Sequence, residues 1–140
     1  MALVPYLFFE GQCETALEYY KAAVGAEDVQ LVRYKDAPDK SGHDRLPPGS
    51  DDKIMHACFT LGGARVFAAD GMCTGKSNFQ GFRLALEVRD KAEAEQRFHA
   101  LCEGGEVTMP LMETFWSPAF GMVTDKFGVG WMVMVPGAGA

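Results

Sequence analysis

The sequence predicts an α+β protein of two βαβββ modules related by a pseudo-twofold, with curved mixed sheets that enclose a cavity. An amphipathic helical pattern occurs twice, and its two copies align Ala16 with Ala94 and Tyr20 with Phe98. A hairpin pattern with a glycine turn also occurs twice and aligns Gly63 with Gly128. Repetition of one supersecondary unit within a chain is a strong indication of architecture.

The first module, residues 1–75, contains one helix and four strands. In chain order, its predicted elements are strand Leu3–Phe9, helix Gln12–Val24, and strands Val29–Tyr34, Ile54–Leu61 and Arg65–Asp70. Gly25 is expected to end the helix, because glycine readily adopts the left-handed conformation that follows a last helical turn. The segment Asp36–Lys53, with three prolines and two glycines, predicts an exposed loop long enough to act as a lid.

The second module, residues 76–140, repeats this order. Its predicted strands are Phe82–Val88, Glu106–Leu111, Phe120–Thr124 and Trp131–Val135. The helix between the first two strands is predicted to start at Asp90, which has capping-box spacing with Glu93. Gly104 is expected to end that helix.

Composition and charge exclude several classes of partner. The chain has 140 residues, a net charge of −6 and a pI near 5.0, with no basic cluster. This balance argues against nucleic acid and anionic membrane surfaces as partners. No apolar run approaches the roughly 18 residues of a membrane span, and the N-terminal segment lacks the basic lead of a signal peptide. We therefore expect a cytoplasmic protein.

The four cysteines are widely spaced and predict free thiols in a reducing compartment. Cys58 and Cys102 lie on apolar patterns and are interpreted as small core residues. Cys13 and Cys73 have no adjacent basic side chain that would activate them, so we interpret both as unreactive. Two acids that follow strands, Asp70 and Asp125, are interpreted as turn residues.

Several short segments together carry a family resemblance. They are Tyr6–Gly11, Ala16–Tyr20, Met55–Ala57, Val107–Leu111, Glu113–Trp116, Phe120–Gly121 and Asp125–Trp131. With them the chain resembles the vicinal oxygen chelate superfamily of glyoxalase I, extradiol dioxygenases and bleomycin-resistance proteins, and within it a PhnB-like branch. Members of this branch are often labelled as resembling a demethylubiquinone methyltransferase. No Gly-x-Gly-x-Gly loop follows a strand here, so we do not predict an S-adenosylmethionine-dependent methyltransferase.

The resemblance implies a divalent metal held by residues of the first and last strand of each module. The corresponding positions are expected to be Pro5, Phe67, Arg83 and Met132. None of these side chains serves as a ligand at neutral pH, so we expect no metal and no other cofactor. An alternative is a divalent-metal-dependent lyase, isomerase or dioxygenase whose displaced ligands are His56, Glu87 and Glu113.

Six residues are candidates for lining a ligand pocket, although the catalytic residues are unknown: His56, Arg83, Glu87, Glu113, Trp116 and Phe120. His56 is interpreted as a hydrogen-bonded core or pocket residue, with metal ligation as the alternative. Glu87 shares a strand face with Arg83 and forms either a pair that lines the cavity or a solvated ion pair.

Three further candidates follow one another closely in the second module. Glu113 either reaches the mouth of the cavity or is a surface acid. The aromatic residues Trp116 and Phe120 either pack in the core or form a platform for a ligand.

These features favour a small-molecule-binding protein or enzyme of the vicinal oxygen chelate fold, with an unknown small molecule as its partner. We expect aromatic walls from Phe9, Trp116 and Phe120, and polar anchors from Arg83 and His56. An arginine holds a carboxylate or phosphate through paired hydrogen bonds. A drug-sequestering resistance protein remains a further alternative. The resemblance, together with an open sheet edge, predicts a homodimer.

Overall fold

The computed structural model describes residues 1–40 and 42–137. It divides the chain into two compact units, Met1–Asn78 and Phe79–Ala140. Each unit has the predicted βαβββ order and forms one four-stranded mixed sheet with one helix. The predicted α+β fold class is confirmed.

The first unit contains one α-helix and four strands. They are β1 (Tyr6–Phe8), α1 (Cys13–Val24), β2 (Glu27–Arg33), β3 (Ile54–Leu61) and β4 (Ala64–Ala69). The strand order is β1-β4-β3-β2, in which only the β1–β4 pair is parallel. Gly62 and Gly63 both have positive φ at the predicted β3–β4 turn.

The second unit repeats this arrangement. Its elements are β5 (Leu84–Glu87), α2 (Lys91–Cys102), β6 (Glu106–Met112), β7 (Phe120–Thr124) and β8 (Gly130–Met134). The strand order is β5-β8-β7-β6, again with one parallel pair, β5–β8. Neither helix in the described part of the chain is long and apolar enough to cross a membrane.

The two units match closely but not residue for residue. Helices α1 and α2 are equal in length and align end to end, as the helical repeat predicts. The strands before them do not keep the same alignment, because Tyr6 pairs with Phe67 whereas Ala85 pairs with Met132. The β1–α1 connection is therefore one residue longer than the β5–α2 connection. At the ligand positions that the resemblance implies, the Cα partners of Phe67 and Met132 are therefore Tyr6 and Ala85 in place of the expected Pro5 and Arg83, although the Pro5 carbonyl still accepts a hydrogen bond from the N–H of Phe67.

Each helix covers one face of its own sheet. In the first unit, Tyr20 of α1 is fully buried and its ring lies 6.4 Å from that of Phe59 on β3. In the second unit, Phe98 of α2 packs over Gly121 on β7. A Cβ at Gly121 would lie 2.8 Å from the Phe98 ring, so glycine permits this close approach.

The helices begin in different ways. The Asp90 carboxylate accepts a hydrogen bond from the backbone N–H of Glu93, as the capping-box spacing predicts. Glu93 completes the cap by accepting from the N–H of Arg89, one residue before the expected partner. Helix α1 has no side-chain cap from Gln12, the residue that precedes it. It ends at Gly25, which adopts the predicted left-handed conformation with φ of 73°.

The long segment between β2 and β3 contains three short 3₁₀ turns, Tyr34–Asp36, His43–Arg45 and Ser50–Asp52. Its first turn is fixed by Lys40, whose ammonium group donates to the carbonyls of Tyr34 and Lys35. The His43 ring packs edge-on against Tyr34 at 5.1 Å. The structure thus places most of this loop on the surface, and its action as a lid stays a prediction.

The cysteines are arranged differently from the prediction. Cys13 is fully buried, whereas Cys58 and Cys102 are only half-buried. Helix packing explains the difference, because Cys13 is the first residue of α1 and faces the sheet, while Cys102 is the last residue of α2. All four thiols are free.

Candidate functional site

The face of the second sheet that α2 leaves open is rich in methionine. Residues that pair across neighbouring strands project to the same side of a sheet. One row of partners runs Ala85, Met132, Met122, Met109, and the next runs Glu87, Met134, Phe120, Met112. This surface, which we call the methionine face, carries five of the eight methionines of the chain.

A cleft of about 610 Å³ lies at one end of the methionine face. It is lined by residues 79–83, by Met122 and Thr124 of β7, and by Gly130 and Met132 of β8. We call it the Arg83 cleft, because Arg83 is its only charged lining residue among those described.

Hydrogen bonds hold the Arg83 side chain across the ends of three strands. Its Nη1 donates to the carbonyls of Val123 and Trp131 at 3.2 and 3.4 Å. Its Nη2 donates to Thr108 Oγ1 at 3.3 Å. Guanidinium groups have five N–H donors, so these three long bonds leave donors that an anion in the cleft can engage.

The two acids among the pocket candidates, Glu87 and Glu113, do not line the Arg83 cleft. Glu87 is four residues further along an extended segment, which places it about 13 Å from Arg83. This distance is too long for an ion pair, so both forms of the predicted pairing were wrong. Glu113 is exposed on the loop after β6, the opposite edge of the sheet from β5. Three strand spacings separate Glu87 from Glu113 by about 14 Å, so one ion cannot bind both side chains within this unit.

The aromatic candidates form a separate pair at the other end of β7. Trp116 packs edge-to-face on Phe120 with ring centroids 4.7 Å apart. Phe120 is buried, whereas Trp116 is 36% exposed. The loop that presents Trp116 is fixed by Thr114, whose Oγ1 accepts from the N–H of Ser117 at 3.0 Å. Phe120 therefore serves as packing for Trp116 and does not line the Arg83 cleft.

His56 lies on the corresponding open face of the first sheet. Its Nδ1 is 2.8 Å from the hydroxyl of Tyr6, and its ring lies 5.1 Å from that of Phe67. Partial burial raises the pKa of the Tyr6 phenol above its usual value, and the nearby Cys13 thiol adds a smaller effect. Sequence reasoning missed Tyr6, because it placed Pro5 at this point of the strand.

Phe9 does not form part of an open face. It is 2% exposed and packs on Tyr20 of α1, with ring centroids 6.1 Å apart. Its expected role as a pocket wall was wrong, because strand alternation turns Phe9 to the same side as Leu7, toward the helix.

Two carboxylates predicted to be turn residues, Asp70 and Asp125, are buried. Asp125 accepts hydrogen bonds within its own turn, whereas Asp70 also joins distant parts of the chain. Asp70 accepts hydrogen bonds from the N–H groups of Gly11, Cys13 and Ile54 at 2.7–2.9 Å. It therefore caps α1 from the end of β4. Burial of the Cys13 thiol is the main cause of its raised pKa. The Asp70 carboxylate raises this pKa further, and Glu14 makes a smaller contribution.

The chain also matches a family model over residues 1–134. That family is described as 3-demethylubiquinone-9 3-methyltransferase. The chain belongs to this family.

Several known proteins are similar to nearly the whole chain. Protein YjdN of Escherichia coli K12 is 38% identical over 141 residues, covering 96% of this chain and 95% of that protein. The crystal structure of PA1353 from Pseudomonas aeruginosa is 40% identical with a TM-score of 0.81, covering 97% and 98% of the two chains. The PhnB protein from Bacillus cereus is 28% identical with a TM-score of 0.78, covering 96% and 99%. The last match agrees with the predicted PhnB-like resemblance.

More distant structures share the fold alone. A glyoxalase-related enzyme from Fulvimarina pelagi is 15% identical with a TM-score of 0.59, covering 96% and 87% of the chains. The fosfomycin resistance protein FosX from Listeria monocytogenes, in complex with Mn(II), is 9% identical with a TM-score of 0.67, covering 99% and 94%. This chain therefore shares its fold with a glyoxalase-related enzyme and with a fosfomycin resistance protein.

The donor groups of this family member fit a divalent metal poorly. With the register corrected, the first-strand and last-strand positions are Tyr6, Phe67, Ala85 and Met132. They offer one protonated phenol and one thioether, whereas Mn²⁺ and Zn²⁺ require carboxylate, imidazole or thiolate ligands. Within residues 1–40 and 42–137, no three His, Cys, Asp or Glu side chains group as a metal site.

Proposed function

We propose that this protein binds a small organic anion in the Arg83 cleft of its second unit. The observation that carries the proposal is that Arg83 is the one charged residue, among those described, that lines a cleft of about 610 Å³. A carboxylate, phosphate or phosphonate is the group that a guanidinium binds best, through paired charge-assisted hydrogen bonds.

The floor of the cleft favours an apolar body on the same ligand. Met122 and Met132 are half-buried cross-strand partners beside Arg83. Methionine side chains are flexible and polarisable and make favourable contacts with aromatic rings. Phe82, which is 46% exposed, and Phe79 add aromatic surface at the rim. An aryl or alkyl carboxylate or phosphonate matches this combination of one cation and an adaptable apolar floor.

The first turn of α1 argues against methyl transfer from a nucleoside cofactor and favours a different binding role. The connection before α1 contains a single glycine, Gly11. The N–H groups of Gly11 and Cys13, which a cofactor would approach at a helix start, already donate to Asp70. Methyl transfer, the activity in the family's description, therefore becomes one arm of the test.

Isothermal titration of the purified chain against aryl and alkyl carboxylates and phosphonates tests the proposal. Arg83→Ala is expected to weaken the best ligand about tenfold to 150-fold, because a hydrogen bond to a charged group contributes roughly 1.5–3 kcal/mol. Arg83→Lys should retain part of the affinity, since lysine keeps the charge but loses the paired geometry. Arg89→Ala is the matched control, because Arg89 is exposed outside the cleft and pairs only loosely with Asp90 and Glu93.

Equal affinities in Arg83→Ala and the unmodified chain would reject the proposal. Parallel titrations with S-adenosylmethionine, and with Mn²⁺ or Zn²⁺, address the methyltransferase and the metalloenzyme alternatives. Tight binding of S-adenosylmethionine that Arg83→Ala leaves unchanged would favour the methyltransferase alternative. Tight binding of Mn²⁺ or Zn²⁺ that Arg83→Ala leaves unchanged would favour the metalloenzyme alternative.

A further inference from the structure

A cluster of aromatic rings with one arginine lies on the face of the first sheet that α1 leaves open. Its members contact one another, and we call them the Phe67 cluster: Tyr6, Phe8, His56, Arg65 and Phe67. We propose that the Phe67 cluster binds a planar aromatic carboxylate with a hydroxyl group on the far side of its ring. The cluster belongs to the first unit and the Arg83 cleft to the second, so the inference does not rest on the proposed function.

The exposed rings of the cluster offer a surface on which a planar ligand can stack. Tyr6 and Phe8 stack nearly parallel, with ring centroids 4.6 Å apart, and they are 38% and 47% exposed. Phe67 lies beside them, with its ring edge-on to that of Tyr6 at 5.8 Å. Covering exposed aromatic carbon is favourable, and pairs of rings add an attraction of their own. The ligand is therefore expected to contain an aromatic ring.

Arg65 supplies the cationic end of this surface. Its guanidinium carbon lies 5.0 Å from the centroid of the Phe67 ring, a cation–π contact that holds the group on the cluster. Among the residues that the structure describes, none forms an ion pair or a hydrogen bond with this side chain. The N–H donors of the guanidinium are therefore available to a ligand, and two of them match the two oxygens of a carboxylate.

His56 supplies a polar group at the other end, because the row of Phe67 separates it from Arg65. The Tyr6 hydroxyl lies 2.8 Å from His56 Nδ1. When the phenol donates to Nδ1, the proton of the imidazole lies on Nε2. No described residue hydrogen-bonds to Nε2, so this N–H can donate to a hydroxyl of the ligand. The imidazole centroid is only 5.1 Å from that of Phe67, so a single ring fits between the carboxylate and the hydroxyl.

The carboxylates near the cluster leave its Arg65 end positive. Glu27 stands in the same row as Arg65 but two strands away, at about 10 Å between Cα atoms. Glu10, at the opposite end of the cluster, accepts hydrogen bonds from the N–H and the hydroxyl of Thr74 at 3.2 and 3.0 Å. Exposed charges further away than about 8 Å are largely screened at physiological ionic strength. The sign of the nearest charge therefore favours an anionic group at Arg65 and a neutral group at His56.

Nuclear magnetic resonance of histidine labelled with ¹³C at Cε1 tests the site directly. The probe is 3-hydroxybenzoate, added to the unmodified chain and to Arg83→Ala. The His56 signal is expected to shift in a saturable manner and to the same extent in both chains. The signals of His43 and His99, which lie outside the cluster, should not move.

Two variants combined with two altered probes separate the polar contacts. Arg65→Ala should weaken 3-hydroxybenzoate at least about threefold, the effect of one exposed ion pair, and should leave the neutral 3-hydroxybenzamide unchanged. His56→Leu, followed on the backbone amide signals of β3 and β4, should weaken 3-hydroxybenzoate but not benzoate, which lacks the hydroxyl. Arg45→Ala is the matched control, because Arg45 is an exposed arginine of the long loop outside the cluster.

Three results would overturn the proposal. The first is a His56 signal that 3-hydroxybenzoate does not shift, or shifts only while Arg83 is present. The second is equal affinity of 3-hydroxybenzoate for Arg65→Ala and the unmodified chain. The third is a His56 signal that changes with protein concentration alone, which would assign this face to contact between two copies of the chain. The unmodified chain and the exposed Arg65→Ala change decide the question if His56→Leu folds poorly.

Discussion

The Arg83 side chain crosses directly over Gly130. A Cβ at Gly130 would lie 3.0 Å from Arg83 Cγ and 3.1 Å from its Nη1. The glycine leaves a passage through which the arginine reaches the carbonyls of Val123 and Trp131. Gly130 is therefore a positioning residue for the one charged group described in the cleft.

Gly130→Ala is expected to displace Arg83 while leaving the fold intact. The backbone of Gly130 lies outside the left-handed region, so alanine fits its conformation. The free energy of unfolding should change by less than about 1 kcal/mol, because a Gly→Ala change also restricts the unfolded chain. The affinity for the best anionic ligand should fall to a value between those of the unmodified chain and Arg83→Ala, as measured by titration calorimetry.

The double variant Gly130→Ala/Arg83→Ala supplies the control. If Gly130 acts through Arg83, adding Gly130→Ala to Arg83→Ala should cause no further loss of affinity, since coupled residues deviate from additivity. An additive loss would mean that the new methyl group blocks the ligand itself.

The helices and the module order were predictable because their signals are local. Helical periodicity and the Asp90 cap act within about one turn of the chain, and α2 starts where the cap predicts. Strand ends were less predictable. The apolar run Leu3–Phe9 predicts a longer strand than the structure has, since only Tyr6–Phe8 pair with β4. The length of a strand depends on its partner, which the run itself does not encode.

The candidate site was predictable only in part. Arg83 was identified because it stands on an otherwise apolar strand. Tyr6 was missed because the connection before α1 is one residue longer than the connection before α2, which the alignment of the two helices does not reveal. Gly130 gave no signal, since its role depends on the side chain of Arg83, which is distant in the sequence. The hydrogen bonds of Asp70 likewise join parts of the chain that are far apart in sequence, so no local pattern indicates them.

Asp125→Asn should destabilise the second unit through the indole of Trp131. Asp125 Oδ2 accepts the Trp131 Nε1–H at 2.8 Å, while Oδ1 accepts the N–H groups of Phe127 and Val129. An amide must direct its NH₂ group at one of these donors. The loss should be about 1–3 kcal/mol, the cost of an unsatisfied buried donor, measured by urea unfolding.

Trp131→Phe tests whether that loss passes through the indole. The phenylalanine has no N–H, so the asparagine can then direct its NH₂ group toward the vacated position. Asp125→Asn should therefore cost less in the Trp131→Phe background than in the unmodified chain. Equal costs in both backgrounds would show that the two turn N–H groups carry the effect.

Asp70→Asn is expected to destabilise the protein more than Asp90→Ala. Asp70 is buried and satisfies three backbone donors, including the start of α1. Asp90 is an exposed local cap of α2, whose loss typically costs about 0.5–2 kcal/mol. Denaturant unfolding of both variants gives the comparison. A larger loss in Asp90→Ala would contradict the assignment of Asp70 as the cap of α1.

The stability of the protein should decrease in alkaline solution partly through Cys13. Burial, followed by the Asp70 and Glu14 carboxylates, raises the pKa of this thiol far above its ordinary value. Below the pKa of an unfolded cysteine, about 8.5, both states hold the proton and the stabilisation is complete. Above it only the unfolded chain releases the proton, so the free energy of unfolding declines by up to about 1.4 kcal/mol per pH unit.

Urea unfolding at a series of pH values above that unfolded-state pKa should show a shallower decline in Cys13→Ala than in the unmodified chain. Cys102→Ala should reduce the decline less, because burial alone raises the pKa of that half-buried thiol. Identical slopes for Cys13→Ala and the unmodified chain would show that Cys13 ionises as readily in the folded state as in the unfolded one.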